Sequence, residues 1–263
     1  MRAALRYLQI IPVALVLYAT DAVDRFRAGA QTAGLASAPV VDTISRQLGG
    51  GFAVGMNHWL AAHPVVADAA AWFYVLMMGA VAGTVGLLLI WRRVPSFGLH
   101  RNALICCNLI ALVAFWLYPV APPRMLPGYH DITATSVPLF SGVLEGKGAD
   151  LFAALPSLHV VWSLWVPLAV APLVRHPALR AALWLYPAAT ILDVLATANH
   201  YLLDAISAPV VLLLGYASAA GLALAARRLR RYPRALPPVV LPRQAPPHPG
   251  EQQAAPGASR RAA

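Results

Sequence analysis

Apolar residues run along this chain in long blocks, broken by short polar stretches. The blocks fall at about 5–23, 66–91, 102–120, 157–174, 179–198 and 201–225. Each reaches, or nearly reaches, the roughly 17–25 residues that cross a bilayer as a helix. The second is the cleanest, since Val66 to Ile90 holds a single charge, Asp68. The first follows "MRAALR" and invites reading as a signal peptide, but no small-residue cleavage site follows promptly. "YATDAVDRFRAG" reads better as a helix end, so the block is expected to stay as a membrane anchor. The pattern predicts an all-α, polytopic membrane protein with a core of six transmembrane helices.

Composition agrees. The chain has 263 residues, 59% of them hydrophobic and only 11% charged, against about 25% charged in soluble domains. A net charge of +10 raises nucleic acid as a partner, but the placement of the arginines argues for topology instead. Arg2, Arg6, Arg92, Arg93, Arg101, Arg175, Arg180, Arg227, Arg228, Arg230, Arg231 and Arg234 all fall on one side of a six-span chain. Positive charge marks the cytoplasmic side, so both termini are expected inside. Arg25, Arg27, Arg46, Arg124 and Lys147 lie on the other side, together with acidic residues.

Three regions follow from this. Residues 1–65 hold the first span and an Ala/Gly-rich outer segment, whose loosely helical apolar spacing suggests short interfacial helices. His58 and His63 lie there without an acidic partner and read as interfacial or surface residues. Residues 66–231 form the membrane core. Residues 232–263, rich in Pro and Ala without apolar periodicity, read as a disordered cytoplasmic tail. Cys106 and Cys107 are adjacent inside a predicted span and read as packing residues rather than a disulfide.

Once topology is assigned, three polar clusters remain: "YPVAPPRMLPG" (118–128), "LPSLHVVW" (155–162) and "NHYLLD" (199–204). They fall after the third span, at the start of the fourth and at the start of the sixth, all on the outer face. His200 and Asp204 are four apart, so on a helix they share a face. A carboxylate holding one ring nitrogen leaves the other free as nucleophile or base. Pro156 and Ser157 read as a helix start, with Ser157 as cap. The free main-chain N–H groups of such a start bind phosphate or another oxyanion, and His159 falls within that first turn. Arg124, mounted after Pro122 and Pro123, has the fork geometry for bidentate phosphate contact.

A nucleophile, a proton donor, an anion-binding helix end and a guanidinium make a phosphoryl-transfer site without a cofactor or metal. His200 is expected to attack phosphorus, oriented by Asp204, while His159 protonates the leaving alkoxide and later deprotonates the incoming water or alcohol. Arg124 and the N–H groups of Ser157 and Leu158 are expected to stabilise the equatorial oxygens. Asp193, inside the fifth span, reads as a structural or supporting acid, and His130-Asp131 as loop residues near the site.

In this order, the motifs PPR, PSLH and HYLLD resemble the type 2 phosphatidic acid phosphatase (lipid phosphate phosphatase) superfamily. The closer likeness is to its inositol phosphoceramide synthase-like branch, over roughly residues 66–225. The resemblance implies a six-helix membrane core, a phosphorylated lipid substrate, and the two histidines and the Asp acting as above. Two departures stand out. The Lys usual seven residues before the Arg is Leu117 here, and the usual Ser-Arg of the third motif is Asp193-Val194. The branch also lacks those cations, which leaves a second phosphate contact to assign; Asn199, Tyr201 and Tyr129 are the neutral candidates.

The expected partners are thus a phosphorylated lipid, the membrane, and an acceptor that is water or a sugar or polyol hydroxyl, with no nucleic acid. The Arg-over-Lys and Ala bias is compatible with a GC-rich bacterium and a plasma membrane location, the site facing outward. A competing reading is a transporter that handles protons or ions through the same polar residues. No His/Cys/Asp cluster here has strong metal spacing, and the polar residues sit at helix ends rather than in broken mid-membrane segments.

Overall fold

The computed structural model describes residues 8–21, 28–137 and 152–231. The proposed tail, 232–263, lies outside the described residues, as do the ends of the first block and part of the loop before "LPSLH". Helix α1 is Ile11–Asp21, entered through a short turn at Leu8–Ile10. Helix α2 (Ala30–Ser45) leads through a wide turn, Arg46–Gly50, into α3 (Phe52–Ala61). Gly49 adopts φ 97° within that turn, where a side chain would be strained. These two helices occupy the segment expected to hold interfacial ones.

Helix α4 (Pro64–Trp91) opens with proline at its first turn, where the missing N–H costs nothing. Helix α5 is Phe97–Leu117; Tyr118, ahead of Pro119, leaves helical geometry because the proline ring crowds the residue before it. Helix α6 is the short Ile132–Ser136, and α7 is Leu158–Val170 with a turn to Leu173. Helices α8 (Pro177–Ala182) and α9 (Leu185–Ala196) follow in near continuity, and α10 runs from Leu202 to Arg231.

Among the described residues, four helical stretches are long and apolar enough to cross a membrane: Pro64–Trp91, Phe97–Leu117, Pro177–Ala196 and Leu202–Leu229. The block expected at 157–174 is shorter as a helix, Leu158–Leu173, since Ser157 caps its start and Val174 turns extended at its end. Among the described residues there are no strands; Val120 and Ala153 form one isolated parallel bridge.

Helix α7 is central. It packs against α4, α5 and α9, and Val160, Val161, Trp165 and Ala169 are almost wholly buried. Helices α5 and α10 approach so closely that a Cβ on Gly215 would overlap Cys107 Sγ and lie 2.9 Å from the Ala103 carbonyl. Small residues allow such contact in lipid, where helices associate by packing rather than by hydrophobic exclusion. Cys107 is a free thiol buried at this crossing. His100 on α5 bonds the Tyr216 hydroxyl of α10 at 2.7 Å, and Trp165 Nε1 donates to the His100 carbonyl. Large apolar residues stand exposed on several helices, including Trp91, Leu117, Leu185 and Leu213, as suits surfaces that face lipid.

Residues to Ala225 form one compact unit and those from Ala226 a second, of which only the end of α10 is described.

Candidate active site

The end of α5, the start of α7 and the junction between α9 and α10 meet at one place. The segment after α5 is threaded by main-chain bonds: Val120 N–H to the Phe152 carbonyl (2.7 Å), Ala121 N–H to Gly34 (3.0 Å) and Arg124 N–H to Ala198 (2.8 Å). Arg124 thereby hangs beside the α9–α10 junction. The "PPR" and "LPSLH" stretches lie side by side because Ala154 N–H returns a bond to the Val120 carbonyl.

The junction has a specific construction. Helix α9 closes with Ala198 N–H on the Leu195 carbonyl and Asn199 N–H on the Val194 carbonyl, the bond pair of a Schellman closure. That closure needs a left-handed residue, and here it is Ala198 at φ 56°, an uncommon choice for a residue with a Cβ. The turn throws Asn199 and His200 inward, and α10 begins only at Leu202. His200 and Asp204 are therefore not a pair along one helix face, as their spacing suggested. Asp204 Oδ2 reaches back from the first turn of α10 and accepts the Tyr201 N–H at 2.8 Å, as an acid three residues into a helix does. The same oxygen lies 3.3 Å from His200 Nδ1.

His200 Nδ1 also lies 2.9 Å from the Ala154 carbonyl. A carbonyl only accepts, so Nδ1 carries the proton and Nε2 carries the lone pair. Burial pushes the imidazole down to about 4; the bond to Ala154 opposes this and the Arg124 charge adds to it. His200 is thus a neutral imidazole with a defined free nitrogen.

Ser157 caps α7, its Oγ accepting the Val160 N–H at 3.3 Å. Pro156 stands one residue before the cap rather than in the first turn. The Ser157 N–H faces the Asp204 carbonyl at 3.4 Å, whereas among the described residues nothing engages the N–H groups of Leu158 and His159. The His159 ring stacks on Tyr74 of α4, with centroids 4.2 Å apart, and lies 5.6 Å from the His200 ring.

Arg124 donates from one terminal nitrogen to Asn199 Oδ1, and its Nε lies 3.3 Å from Asp131 Oδ2. Asn199 is itself held, since its Nδ2 donates to Thr133 Oγ1 (2.9 Å) and Thr197 Oγ1 (2.8 Å). Asp131 doubles as the cap of α6, accepting the Ala134 N–H. Asn57, fully buried on α3, clamps this loop by exchanging bonds with the His130 main chain and donating to the Ala196 carbonyl.

None of the three neutral candidates for a second phosphate contact has a spare donor. Both Asn199 donors are engaged, Tyr201 O–H donates to the Ala121 carbonyl, and Tyr129 O–H donates to Asp42. Asn199 acts instead on Arg124. His58 on α3 and His63, just ahead of α4, are exposed and bonded to the Gly128 and Trp59 carbonyls.

Sequence reasoning missed Asn57, Thr133, Thr197 and Tyr74. Polar residues on short helices or at a helix end and a span tyrosine carry no local signal; only the folded contacts give them a role. Among the described residues, no group of three or more His, Cys, Asp or Glu side chains is placed to hold a metal ion.

The family model of the PAP2 superfamily matches residues 41–218, a range that holds His159, His200, Asp204, Arg124, Ser157, Leu158 and Asn199. No curated protein and no solved structure matches the chain.

Proposed function

This chain belongs to the PAP2 superfamily, and on that premise we propose that it transfers phosphoryl groups from phosphorylated lipids through a phosphohistidine at His200. Its several long apolar helices make it a multi-pass membrane protein, and the family supports phosphatase or phosphotransferase chemistry on lipid-like substrates.

In the first step His200 Nε2 attacks phosphorus, and an N–P bond forms as the P–O bond to the lipid breaks. His159 passes its proton to the departing alkoxide. Arg124 and the N–H groups of Leu158 and His159 hold the equatorial oxygens, which also face the positive end of the α7 dipole. Asp204 and the Ala154 carbonyl keep the Nδ1 proton in place and so direct Nε2 at the substrate. In the second step water or an alcohol gives its proton to His159 and attacks phosphorus, and the N–P bond breaks. A sugar or polyol hydroxyl as acceptor makes the protein a phosphotransferase; water makes it a phosphatase.

The departures at Leu117 and Asp193-Val194 favour the inositol phosphoceramide synthase-like branch and hence an inositolphosphotransferase type. The arginine distribution supports six spans, both termini in the cytoplasm and the site at the outer leaflet of a plasma membrane. Leu158–Leu173 and α1 would supply the two spans beyond the four long ones.

The observation that carries the proposal is the pairing of a neutral, oriented His200 with His159, rings 5.6 Å apart. The test is a panel of lipid phosphates incubated with purified protein, with and without inositol, and the products identified by mass. Release of phosphate or of a transferred head group is expected, lost in both H159A and H200A. Full activity in both variants contradicts the proposal.

A further inference from the structure

Behind His159, on the side of α4 and α9, lies a small cavity. Its polar lining comes from Tyr74, His159, Tyr186, Thr190 and Asp193. The hydroxyl of Tyr186 donates to the Met77 carbonyl at 3.0 Å, and that of Thr190 to the Tyr186 carbonyl at 3.0 Å. Those two protons are committed to main chain. Asp193 differs, because its Oδ2 is sealed from solvent and bonds no described group. Orphaned buried carboxylate oxygens are uncommon and costly unless the group has a task.

The task follows from what His159 has to do. As proton donor it must carry a second ring proton while Arg124 and His200 stand near it, and neither favours a cation. The main chain of Tyr74 on α4 bonds the His159 ring and helps to hold a proton there, but neither Tyr74 nor Tyr186 on α9 offers a negative charge. Asp193 is the acid that opens on the same cavity.

We propose that Asp193 is a positioning residue which, across this cavity, holds His159 in its proton-donating form. The inference rests on the phosphoryl-transfer reading above. With no bond between them, Asp193 acts on His159 through charge: its carboxylate favours the imidazolium that is poised to donate. When the alkoxide leaves, the proton moves from imidazole to oxygen; when water or alcohol attacks, its proton returns to the imidazole. Asp193 makes no contact with the lipid.

Leaving groups separate this role from a structural one. An alkoxide needs the donated proton, whereas 4-nitrophenolate departs without it. D193N is therefore assayed on phosphatidic acid and on 4-nitrophenyl phosphate in the same detergent preparation, using the monodisperse fraction. The expected result is a fall in kcat of at least about tenfold on phosphatidic acid, with KM little changed. The rate on 4-nitrophenyl phosphate is expected to stay within about twofold. The basic limb of the kcat profile on phosphatidic acid should also move to lower pH, because loss of the carboxylate removes a stabiliser of the imidazolium.

The ratio of the two rates does not depend on how much of the sample is folded. D193S reads the same ratio should D193N yield no monodisperse protein. An unchanged ratio in the variant tested overturns the inference while leaving the phosphohistidine mechanism standing. No turnover of either ester by the unaltered protein overturns both.

Discussion

His200 Nδ1 lies 2.9 Å from the Ala154 carbonyl and 3.3 Å from Asp204 Oδ2, and the shorter contact to an oxygen that only accepts places the proton on Nδ1. The nucleophile's orientation thus rests on two elements far apart in sequence, the strand-like segment before α7 and the first turn of α10. Asp204 reinforces it and at the same time caps the helix that follows.

D204N separates these two roles. Asparagine still presents an oxygen to the Tyr201 N–H, but it is neutral and no longer balances charge on His200 as the N–P bond forms. The rate of the first step is expected to fall about 100-fold or more, while thermal unfolding in detergent shifts by only a few degrees. A rate close to that of the unaltered protein would remove Asp204 from the mechanism.

Arg124 is held from both sides, by Asn199 and by Asp131, so its fork should not be replaceable by a point charge. R124K is expected to lose about 100-fold in kcat/KM. N199A leaves the guanidinium in place but unsteered, and a smaller loss of about tenfold is expected. Substrate titrations of the two variants check the order.

The depressed His200 pKa makes a pH prediction with a definite sign. With an ordinary value of 6.5 moved to about 4 by burial, Nε2 keeps its lone pair through mildly acidic pH. The acid limb of kcat/KM should lie well below 6.5. Stability runs the other way over the same window. The unfolded chain takes up a proton at His200 as pH falls through 6.5, and the folded chain resists until about 4. This residue therefore costs stability as pH drops between those values. Unfolding temperatures in detergent across pH 4–7, for the unaltered protein and H200N, isolate the contribution.

Gly215 tests the helix crossing rather than the chemistry. A Cβ there overlaps Cys107 and approaches the Ala103 carbonyl, and backbone cannot give way as a flexible side chain does. G215A is expected to destabilise the protein by about 1–3 kcal/mol, read as a lower unfolding temperature. Chemistry in the surviving folded fraction should change little.

Much of this was legible in the residues themselves. Ionisable groups are costly at membrane edges, so Arg124, His159, His200 and Asp204 stood out against an apolar background, and Ser157 announced a helix start. The geometry joining His200 to Asp204 was not legible. Spacing by four suggests one helix face, but the left-handed turn at Ala198 sets His200 outside the helix that carries Asp204. Nothing local marks an alanine as the residue that will take φ 56°; a glycine would have done so. Hydrophobicity alone marks α4 nearly to its ends, 66–91 against Pro64–Trp91. The 157–174 block came out shorter because its ends are set by a cap and an extended residue rather than by hydrophobicity. The clamp on Arg124 was invisible for another reason, since Asn57, Thr133 and Thr197 acquire their roles only through long-range contacts.

The central claim is that phosphorus passes through His200. A lipid substrate labelled with radioactive phosphate, mixed with enzyme and quenched within the first turnover, tests it directly. The account predicts a labelled protein whose phosphate is lost in acid and kept in base, with the label mapped to His200 and absent from H200A. Turnover without any labelled protein, or label undiminished in H200A, would contradict it.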